Sequence, residues 1–206
     1  MIEPKKKKFI YLVSPNKIKN NEFYKILEKI FKIKKVEFFQ LRLKSEQSNK
    51  IIGIGKKIKK ICKKYNVKLI VNDSPTLAKK IGADGCHIGQ NDIDIKKARK
   101  ILKKKIIGIT CHNSIKLIKN AIKYNINYIA LGSFYKTKTK KVKFKANINI
   151  IESAKKITKL PIVAIGGINS KNYKKLLLNK ADFLAISGFI WKNKYLKPNE
   201  AIKELK

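Results

Sequence analysis

Polar side chains follow one of the apolar runs in regular alternation. Phe38 and Phe39 lead into Gln40, Arg42 and Lys44, which are two residues apart and so point to the same side of an extended strand. Amide, guanidinium and ammonium groups together suit a phosphate-rich anion. A solvated loop start would account for the same residues, but Arg42 is one of only two arginines in the chain, which favours a functional interpretation.

Two carboxylates follow neighbouring apolar runs. Asp73 comes directly after Ile70–Asn72, and Asp92 follows the next run along the chain. Mg²⁺ prefers oxygen ligands and is commonly held by one or two carboxylates together with substrate phosphates. Taken singly, each aspartate fits a helix cap better, Asp73 beside Ser74 and Asp92 beside Asp94. Their joint placement makes a metal site a competing interpretation.

The fifth apolar run ends in Thr110, Cys111 and His112. His112 has the chemistry of a general base, although a histidine that only caps or packs explains it equally well. His87 alternates with buried residues in the fourth run, and we interpret it as structural. The residues show no nucleophile–base set of the serine or cysteine hydrolase kind.

Phosphate-binding candidates follow the last three runs. Hydroxyls interleave with lysines over Thr137–Lys140, which is a weak signal in so lysine-rich a chain. Small residues follow the seventh run at Gly166-Gly167 and the eighth at Ser187-Gly188. Such residues let backbone N–H groups approach a phosphate closely. In an eight-stranded barrel a phosphate site often lies after strands seven and eight.

These residues would be positioned by eight strand segments in strict alternation with helices. The predicted strands are Phe9–Ser14, Val36–Leu41, Lys68–Asn72, Gly85–Ile88, Ile106–Thr110, Tyr128–Gly132, Pro161–Ile165 and Phe183–Ser187. The predicted helices are Glu22–Phe31, Gln47–Tyr65, Thr76–Ile81, Ile95–Lys103, Ser114–Tyr124, Ile148–Thr158, Lys171–Leu178 and a last one near Pro198–Leu205. The alternation predicts a parallel sheet, and eight units close into a barrel. The sequence therefore predicts an α/β fold, a (β/α)8 TIM barrel over residues 1–206 as a single domain. An open doubly wound sheet is the alternative, but it usually carries a Gly-rich first turn, which Ser14-Pro15-Asn16 lacks.

The net charge of +38 is carried almost entirely by lysine. Nucleic-acid readers favour arginine, and the lysines are spread over every segment, so we expect no specific nucleic-acid partner. We also expect no membrane span, because no apolar run approaches about 20 residues. Cys62, Cys86 and Cys111 form no C-x-x-C pair and are odd in number, which favours a reducing cytoplasm over a disulfide framework or a zinc site. The sequence leaves the oligomeric state open, a homo-oligomer included.

Six ordered segments of the chain together resemble the thiamine-phosphate synthase family, over nearly its whole length. They are Gln40–Lys44, Val71–Asp73, Gly82–Asp92, Gly108–His112, Thr137–Lys140 and Val163–Ile168. The resemblance implies a transferase of thiamine biosynthesis. Its small-molecule substrates would be a hydroxymethylpyrimidine diphosphate, which loses pyrophosphate through a pyrimidine carbocation, and a thiazole phosphate, whose ring nitrogen attacks. The products would be thiamine phosphate and pyrophosphate.

The resemblance also implies a role for each matching residue. The pyrimidine diphosphate would be held by Gln40, Arg42, Lys44, Asn72, Thr110 and Lys140. Of these, Arg42, Thr110 and Lys140 would be catalytic. The residues Leu41, Leu43 and Lys138 would also bind substrate. The thiazole phosphate would be held by Thr137, Thr139, Gly167, Ile186 and Ser187. Asp73 and Asp92 would hold Mg²⁺ as the cofactor.

The chain departs from the family's pattern at four places. Pro15 stands where the first strand commonly ends in an acidic residue, Ser133 stands where proline is common, and Lys138 replaces a proline between two threonines. The segment after Lys141 is also short. Two other functions also remain open. A thiazole tautomerase, a related barrel, would use His112 as a base but would give Asp92 and Thr137–Lys140 no role. A basic nucleic-acid-binding barrel without catalysis would need its lysines clustered on one face.

Overall fold

The computed structural model describes residues 8–137 and 145–206, which form eight parallel strands closed into a barrel. The strands are β1 Ile10–Val13, β2 Val36–Leu41, β3 Lys68–Asn72, β4 Gly85–Ile88, β5 Ile106–His112, β6 Tyr128–Gly132, β7 Ile162–Ile165 and β8 Phe183–Ile186. The helices are α1 Glu22–Lys32, α2 Ser48–Lys64, α3 Pro75–Ile81, α4 Ile95–Leu102, α5 Ile115–Ala121, α6 Asn149–Ile157, α7 Tyr173–Leu178, α8 Gly188–Trp191 and α9 Pro198–Ala201, before a 3₁₀ turn at Ile202–Glu204. Each strand pairs with the next, and β1 pairs with β8 to close the ring. The predicted (β/α)8 fold is confirmed.

Alternate residues along each strand feed two separate cores. In β1, Ile10 and Leu12 belong to the core between strands and helices, whereas Tyr11 and Val13 belong to the core inside the barrel. The inner core is aromatic, and Phe38 on β2 packs across it against Phe183 on β8 at 5.1 Å between ring centroids. Burying each such side chain contributes about 1.5–3 kcal/mol. Because odd and even positions face different cores, a polar residue at an inward position reaches either the barrel interior or its mouth.

One hydrogen-bonding arrangement recurs at the face of the barrel where strands begin. Asp84, Asn127 and Asp182 directly precede β4, β6 and β8, and we name them the latch residues. The backbone N–H of each donates to a carbonyl near the start of the preceding strand, and its side chain accepts the backbone N–H of that same residue. The side-chain bonds are 2.7 Å from Leu69, 2.9 Å from Ile107 and 2.8 Å from Ile162.

Each latch residue is also contacted by a basic side chain, which comes from α2, α4 or α6. Lys59 on α2 contacts Asp84 at 2.7 Å, and Lys155 on α6 contacts Asp182 at 2.5 Å. In the third latch Arg99 on α4 reaches Asn127 at 3.3 Å and also donates to the carbonyls of Lys103, Lys105 and Asn125. The latches thus tie β3 to β4, β5 to β6 and β7 to β8 at the face of the barrel where strands begin. The polar residues that follow the strands lie at the other face.

The bounds of the predicted strands and of the first seven predicted helices agree with the structure to within three residues, and larger differences occur in two places. The predicted last helix near Pro198–Leu205 is wrong as one element, because the helix ends at Ala201 and tightens into a 3₁₀ turn that closes on the carbonyl of Ile202. The short helix α8 was not predicted, and it docks on β1 because Trp191 Nε1 donates to the Val13 carbonyl at 2.6 Å. Within the described residues, no helix is long and apolar enough to cross a membrane.

Candidate active site

Four charged side chains converge where β2, β3 and β4 end. Lys44 Nζ lies 3.2 Å from a carboxylate oxygen of Asp73. Burial lowers the pKa of Arg42, and the nearby Asp73 carboxylate offsets part of that lowering. Asp92 interacts with both Asp73 and Lys44. The structure therefore brings Arg42, Lys44, Asp73 and Asp92 together at the mouth of the barrel, two cations beside two carboxylates.

Arg42 is positioned by the end of β1. Its backbone N–H donates to the buried Ser14 hydroxyl at 2.9 Å, and its Nη1 lies 3.4 Å from Asn16 Oδ1. The Ser14 hydroxyl also lies 3.3 Å from the Arg42 carbonyl. Ser14 and Asn16 flank Pro15, the position where an acidic residue is common in the family. No pattern in the sequence indicates these contacts, because they join residues on different strands.

The two aspartates do not cap the helices next to them. Ser74 caps α3 by accepting from Leu77, and Asp94 caps α4 by accepting from Lys96 and Lys97. Asp73 itself has a left-handed backbone with φ of 62°. Asp92 accepts the Gly89 N–H at 2.7 Å. The alternative interpretation of both residues as helix caps is therefore wrong, and their carboxylates remain available at the mouth.

The two aspartates influence each other's charge. Burial raises the pKa of Asp92, the Gly89 N–H lowers it, and the hydrogen bond and charge of Asp73 raise it again. Two adjacent carboxylates resist ionising together, and a divalent cation relieves that repulsion. Across residues 8–137 and 145–206, no three histidine, cysteine, aspartate or glutamate side chains form a metal-binding group. A metal ion here would thus take two protein carboxylates and draw its other ligands from substrate or water.

Residues of β4 and of the loop after it contact both the hydroxyl and the backbone carbonyl of Thr110 on β5. His87 Nε2 lies 2.8 Å from the Thr110 hydroxyl, and Gln90 donates to the Thr110 carbonyl at 2.5 Å. Burial lowers the pKa of His87 to about 4, so its ring is neutral. The interpretation of His87 as structural misses this contact. The sequence did contain a signal for this contact, because His87, Thr110 and Gln40 all occupy inward positions on their strands.

Three of the expected substrate-binding side chains do not face the mouth. Leu41, Leu43 and Ile186 are buried in the core between strands and helices. At that position their side chains pack against the barrel's outer layer, so only their backbone atoms are left for a ligand at the mouth. Substrate binding by Leu41, Leu43 and Ile186 therefore stays a prediction that involves their backbone atoms. Gln40 and Asn72, by contrast, occupy inward positions on β2 and β3, and Gln40 lies beside the Tyr11 hydroxyl.

The loop after β6 lies directly on the end of β7. Phe134 and Tyr135 donate backbone N–H groups to Ile165 and Gly166 at 3.1 Å each. A Cβ at Gly167, where φ is 65°, would lie 2.3 Å from the Lys136 carbonyl oxygen. Glycine is thus needed there for the approach of this loop, which places Thr137 beside the end of β7. Lys138, Thr139 and Lys140 lie outside the described residues.

Ser187 connects the end of β8 with the end of β1. Its hydroxyl donates to the Ser14 carbonyl at 3.2 Å, while the Ser14 side chain holds Arg42. His112 ends β5 with a left-handed φ of 52°, after a register shift between Thr110 and His112. The polar residues expected at strand ends therefore form a ring around the mouth, from Ser187 and Arg42 to Thr110.

Known proteins resemble this chain in both sequence and structure. A solved thiamine phosphate pyrophosphorylase from Pyrococcus furiosus superposes with a TM-score of 0.84 at 24% identity, covering 97% of this chain and 94% of that one. A 3-hexulose-6-phosphate synthase from Salmonella typhimurium superposes with a TM-score of 0.72 at 16% identity, covering 95% and 96% of the two chains. These likenesses establish the barrel fold.

Sequence relatives carry the argument from fold to family. A protein of Pelagibacter ubique named thiamine-phosphate synthase is 64% identical over 201 residues, 97% of each chain. One of the same name from Persephonella marina is 39% identical over 171 residues, 81% of this chain and 80% of the relative. The family model described as thiamine monophosphate synthase matches residues 10–190. The chain belongs to the thiamine monophosphate synthase family.

Proposed function

We propose that this chain catalyses the formation of thiamine phosphate from hydroxymethylpyrimidine diphosphate and thiazole phosphate. The bond between the exocyclic methylene carbon and the diphosphate oxygen breaks, and its electron pair leaves with pyrophosphate. The lone pair of the thiazole nitrogen then forms the new carbon–nitrogen bond. The observation that carries the proposal is the convergence of Arg42 and Lys44 with Asp73 and Asp92 at one point of the mouth.

The barrier of this reaction is charge separation, so fixed positive charge beside the departing pyrophosphate is the main source of rate. Arg42 and Lys44 supply two such charges at one strand end. Arg42 is also pre-positioned, because Ser14 fixes its backbone and Asn16 lies beside its guanidinium. A cation already in place costs no reorganisation when the bond breaks. Lys140 is proposed as a third cation on the resemblance alone.

We assign the metal site to Asp73 and Asp92, with Mg²⁺ as the ion that suits two carboxylates and a diphosphate. When bound, such an ion neutralises charge that builds up on the phosphate oxygens. Lys44, 3.2 Å from Asp73, pairs with that carboxylate and orients it. The pair of aspartates therefore has a use that neither would have as a helix cap.

The remaining polar groups are assigned to the two substrates by their place in the ring. Gln40, Asn72 and Thr110 hold the pyrimidine diphosphate next to the Arg42 cluster. The thiazole phosphate takes the opposite arc, with Thr137, Gly167 and Ser187, to which the resemblance adds Thr139. Separate arcs keep the leaving group and the nucleophile on different sides of the reacting carbon.

The two alternatives explain less of the site. A thiazole tautomerase has no leaving diphosphate, so it would leave the Arg42, Lys44 and aspartate cluster without a role. A nucleic-acid-binding barrel would need a concentrated basic face, whereas lysines occur throughout this sequence. We expect duplex DNA to bind weakly, non-specifically and with strong salt dependence. Free, buried Cys62, Cys86 and Cys111 support a cytoplasmic location for the enzyme.

The deciding experiment incubates the purified protein with both substrates and Mg²⁺ and measures thiamine phosphate and pyrophosphate together. Equal amounts of the two products are expected, and omission of either substrate should abolish thiamine phosphate. A protein that interconverts thiazole isomers but forms no thiamine phosphate would support the tautomerase instead. Tight, sequence-selective DNA binding at physiological salt would support the nucleic-acid alternative.

A further inference from the structure

Four polar groups form a continuous hydrogen-bonded chain through the barrel interior. The Tyr11 and Tyr128 hydroxyls are 2.8 Å apart, and the Tyr128 hydroxyl is 3.0 Å from His87 Nδ1. His87 Nε2 is in turn 2.8 Å from the Thr110 hydroxyl. Gln40 stands beside Tyr11 at the far end. We name Tyr11, Tyr128, His87 and Thr110 the interior chain.

The interior chain is sealed from water except at Thr110. Tyr11 and Tyr128 are each 2% exposed and His87 is 9% exposed. The His87 ring also stacks on Tyr128, with 13° between the two planes. Buried hydroxyl and imidazole groups must find partners within the chain, because an unsatisfied one costs about 1–3 kcal/mol. The hydrogens of the chain therefore have few possible arrangements.

Counting hydrogens leaves two arrangements for a neutral His87. In the first, Tyr11 donates to Tyr128, Tyr128 donates to Nδ1, and Nε2–H donates to Thr110, whose own hydrogen is then free. In the second every bond is reversed, so that Thr110 spends its only hydrogen on Nε2 and Tyr11 donates to Gln40. The two arrangements are distinguished by the histidine tautomer and by what Thr110 offers at the mouth.

Substrate chemistry selects between them. Diphosphate oxygens only accept hydrogen bonds, so a Thr110 that presented lone pairs would repel them. We propose that the interior chain holds His87 as the Nε2–H tautomer and so leaves the Thr110 hydroxyl free to donate to the diphosphate substrate. His87 and Tyr128 are then positioning residues that act through Thr110. The choice between the two tautomers and the role of Thr110 both rest on the proposed function, but the tautomer itself can be measured without any activity.

The tautomer can be read directly by nitrogen NMR of protein labelled with ¹⁵N-histidine, without substrate. The chain has only two histidines, so a His112→Asn variant assigns the signals. We expect a protonated Nε2 and an unprotonated Nδ1 for His87 at neutral pH. An Nδ1–H tautomer, or two tautomers in comparable amounts, would overturn the proposal even if the protein makes thiamine phosphate.

Kinetics test whether the chain acts through Thr110. Tyr128→Phe keeps the ring but removes the donor to Nδ1, and we expect kcat to fall about tenfold with little change in KM. Tyr173→Phe is the matched control, because it also removes a largely buried hydroxyl, one that donates to the Lys206 carbonyl at the last residue of the chain. Equal effects of the two variants on kcat would mean that Tyr128 is only structural, and would overturn the positioning role.

A double-mutant cycle separates positioning from stability. In a Thr110→Val background the free hydroxyl is gone, so Tyr128→Phe should cause no further loss of kcat. Additive losses would show that Tyr128 does not act through Thr110. His87→Gln, whose amide can still donate, should retain more activity than His87→Leu. If Tyr128→Phe fails to fold, Tyr11→Phe and the wild-type NMR spectrum test the same chain. A wild type with the expected tautomer but no thiamine phosphate formation would refute the proposed function alone.

Discussion

Replacing Arg42 with lysine tests how the mouth stabilises the departing pyrophosphate. Lysine keeps the charge but not the planar fork that can hold two phosphate oxygens at once. One charge-assisted hydrogen bond is therefore lost, a cost of about 1.5–3 kcal/mol. Because this contact tightens as the bond breaks, kcat should fall roughly 10- to 150-fold. The affinity for thiazole phosphate should hardly change, since its arc lies across the mouth.

The chain provides its own control, because its other arginine lies at the opposite face. Arg99 makes hydrogen bonds to the carbonyls of Lys103, Lys105 and Asn125 and to the side chain of Asn127. Arg99→Lys should lose some of them and destabilise the fold by about 1–3 kcal/mol. The melting temperature should drop by roughly 2–12 °C while kcat stays at the wild-type value. Arg42→Lys should show the reverse pattern.

The assay is steady-state kinetics with each substrate varied in turn, together with thermal unfolding of both variants. A wild-type kcat in Arg42→Lys would mean that Arg42 does not hold the leaving group. A loss of kcat in Arg99→Lys equal to that in Arg42→Lys would also refute the reasoning. In that case both arginines would act through the general field of a highly charged protein and not through local contacts.

Three further predictions concern the metal, the latches and the thiols. EDTA should abolish turnover and added Mg²⁺ should restore it, and Asp92→Asn should lose activity without losing its fold by circular dichroism; full activity in excess chelator would contradict the metal assignment. Asp182→Ala leaves the Ile162 N–H and Lys155 without their partner, so it should lower the free energy of unfolding by about 1–3 kcal/mol in urea titrations, and an unchanged midpoint would argue against the latch. Burial raises the pKa of Cys111 to about 12 and raises that of the other two thiols as well. Since only the thiolate reacts, iodoacetamide at pH 8 should leave all three unmodified in the native protein and modify all three in denaturant, as read by mass spectrometry.

The barrel could be predicted from sequence because its signal is local and repeated. Each strand is a short β-branched run and each helix an amphipathic one, so eight units were recognisable without any long-range contact. Inward and outward positions also follow from alternation alone. That rule separates the inward side chains of Gln40 and Arg42 from the outward side chains of Leu41 and Leu43, which lie in the core between strands and helices.

The contacts that refine the site were not predictable, because they join strands far apart in sequence. The Ser14 hydroxyl fixes Arg42 through a bond that spans 28 positions, and His87 meets Thr110 across 23. Whether an aspartate caps a helix also depends on backbone geometry that no spacing reveals. Ser74 and Asp94 take the capping roles, which leaves Asp73 and Asp92 for the mouth.

The three latches have a consequence for how this barrel can change over evolution or in the laboratory. They tie successive strand pairs at the face where strands begin, whereas the proposed site lies at the face where they end. Substitutions in the mouth loops therefore leave these bonds intact. A library that varies only loop residues after β2, β3 and β5 should yield mostly folded proteins. The reason is that such a library leaves the latch bonds, which stabilise the fold from the other face, unchanged. New substrate preferences can then be sought in this chain without first rebuilding its scaffold.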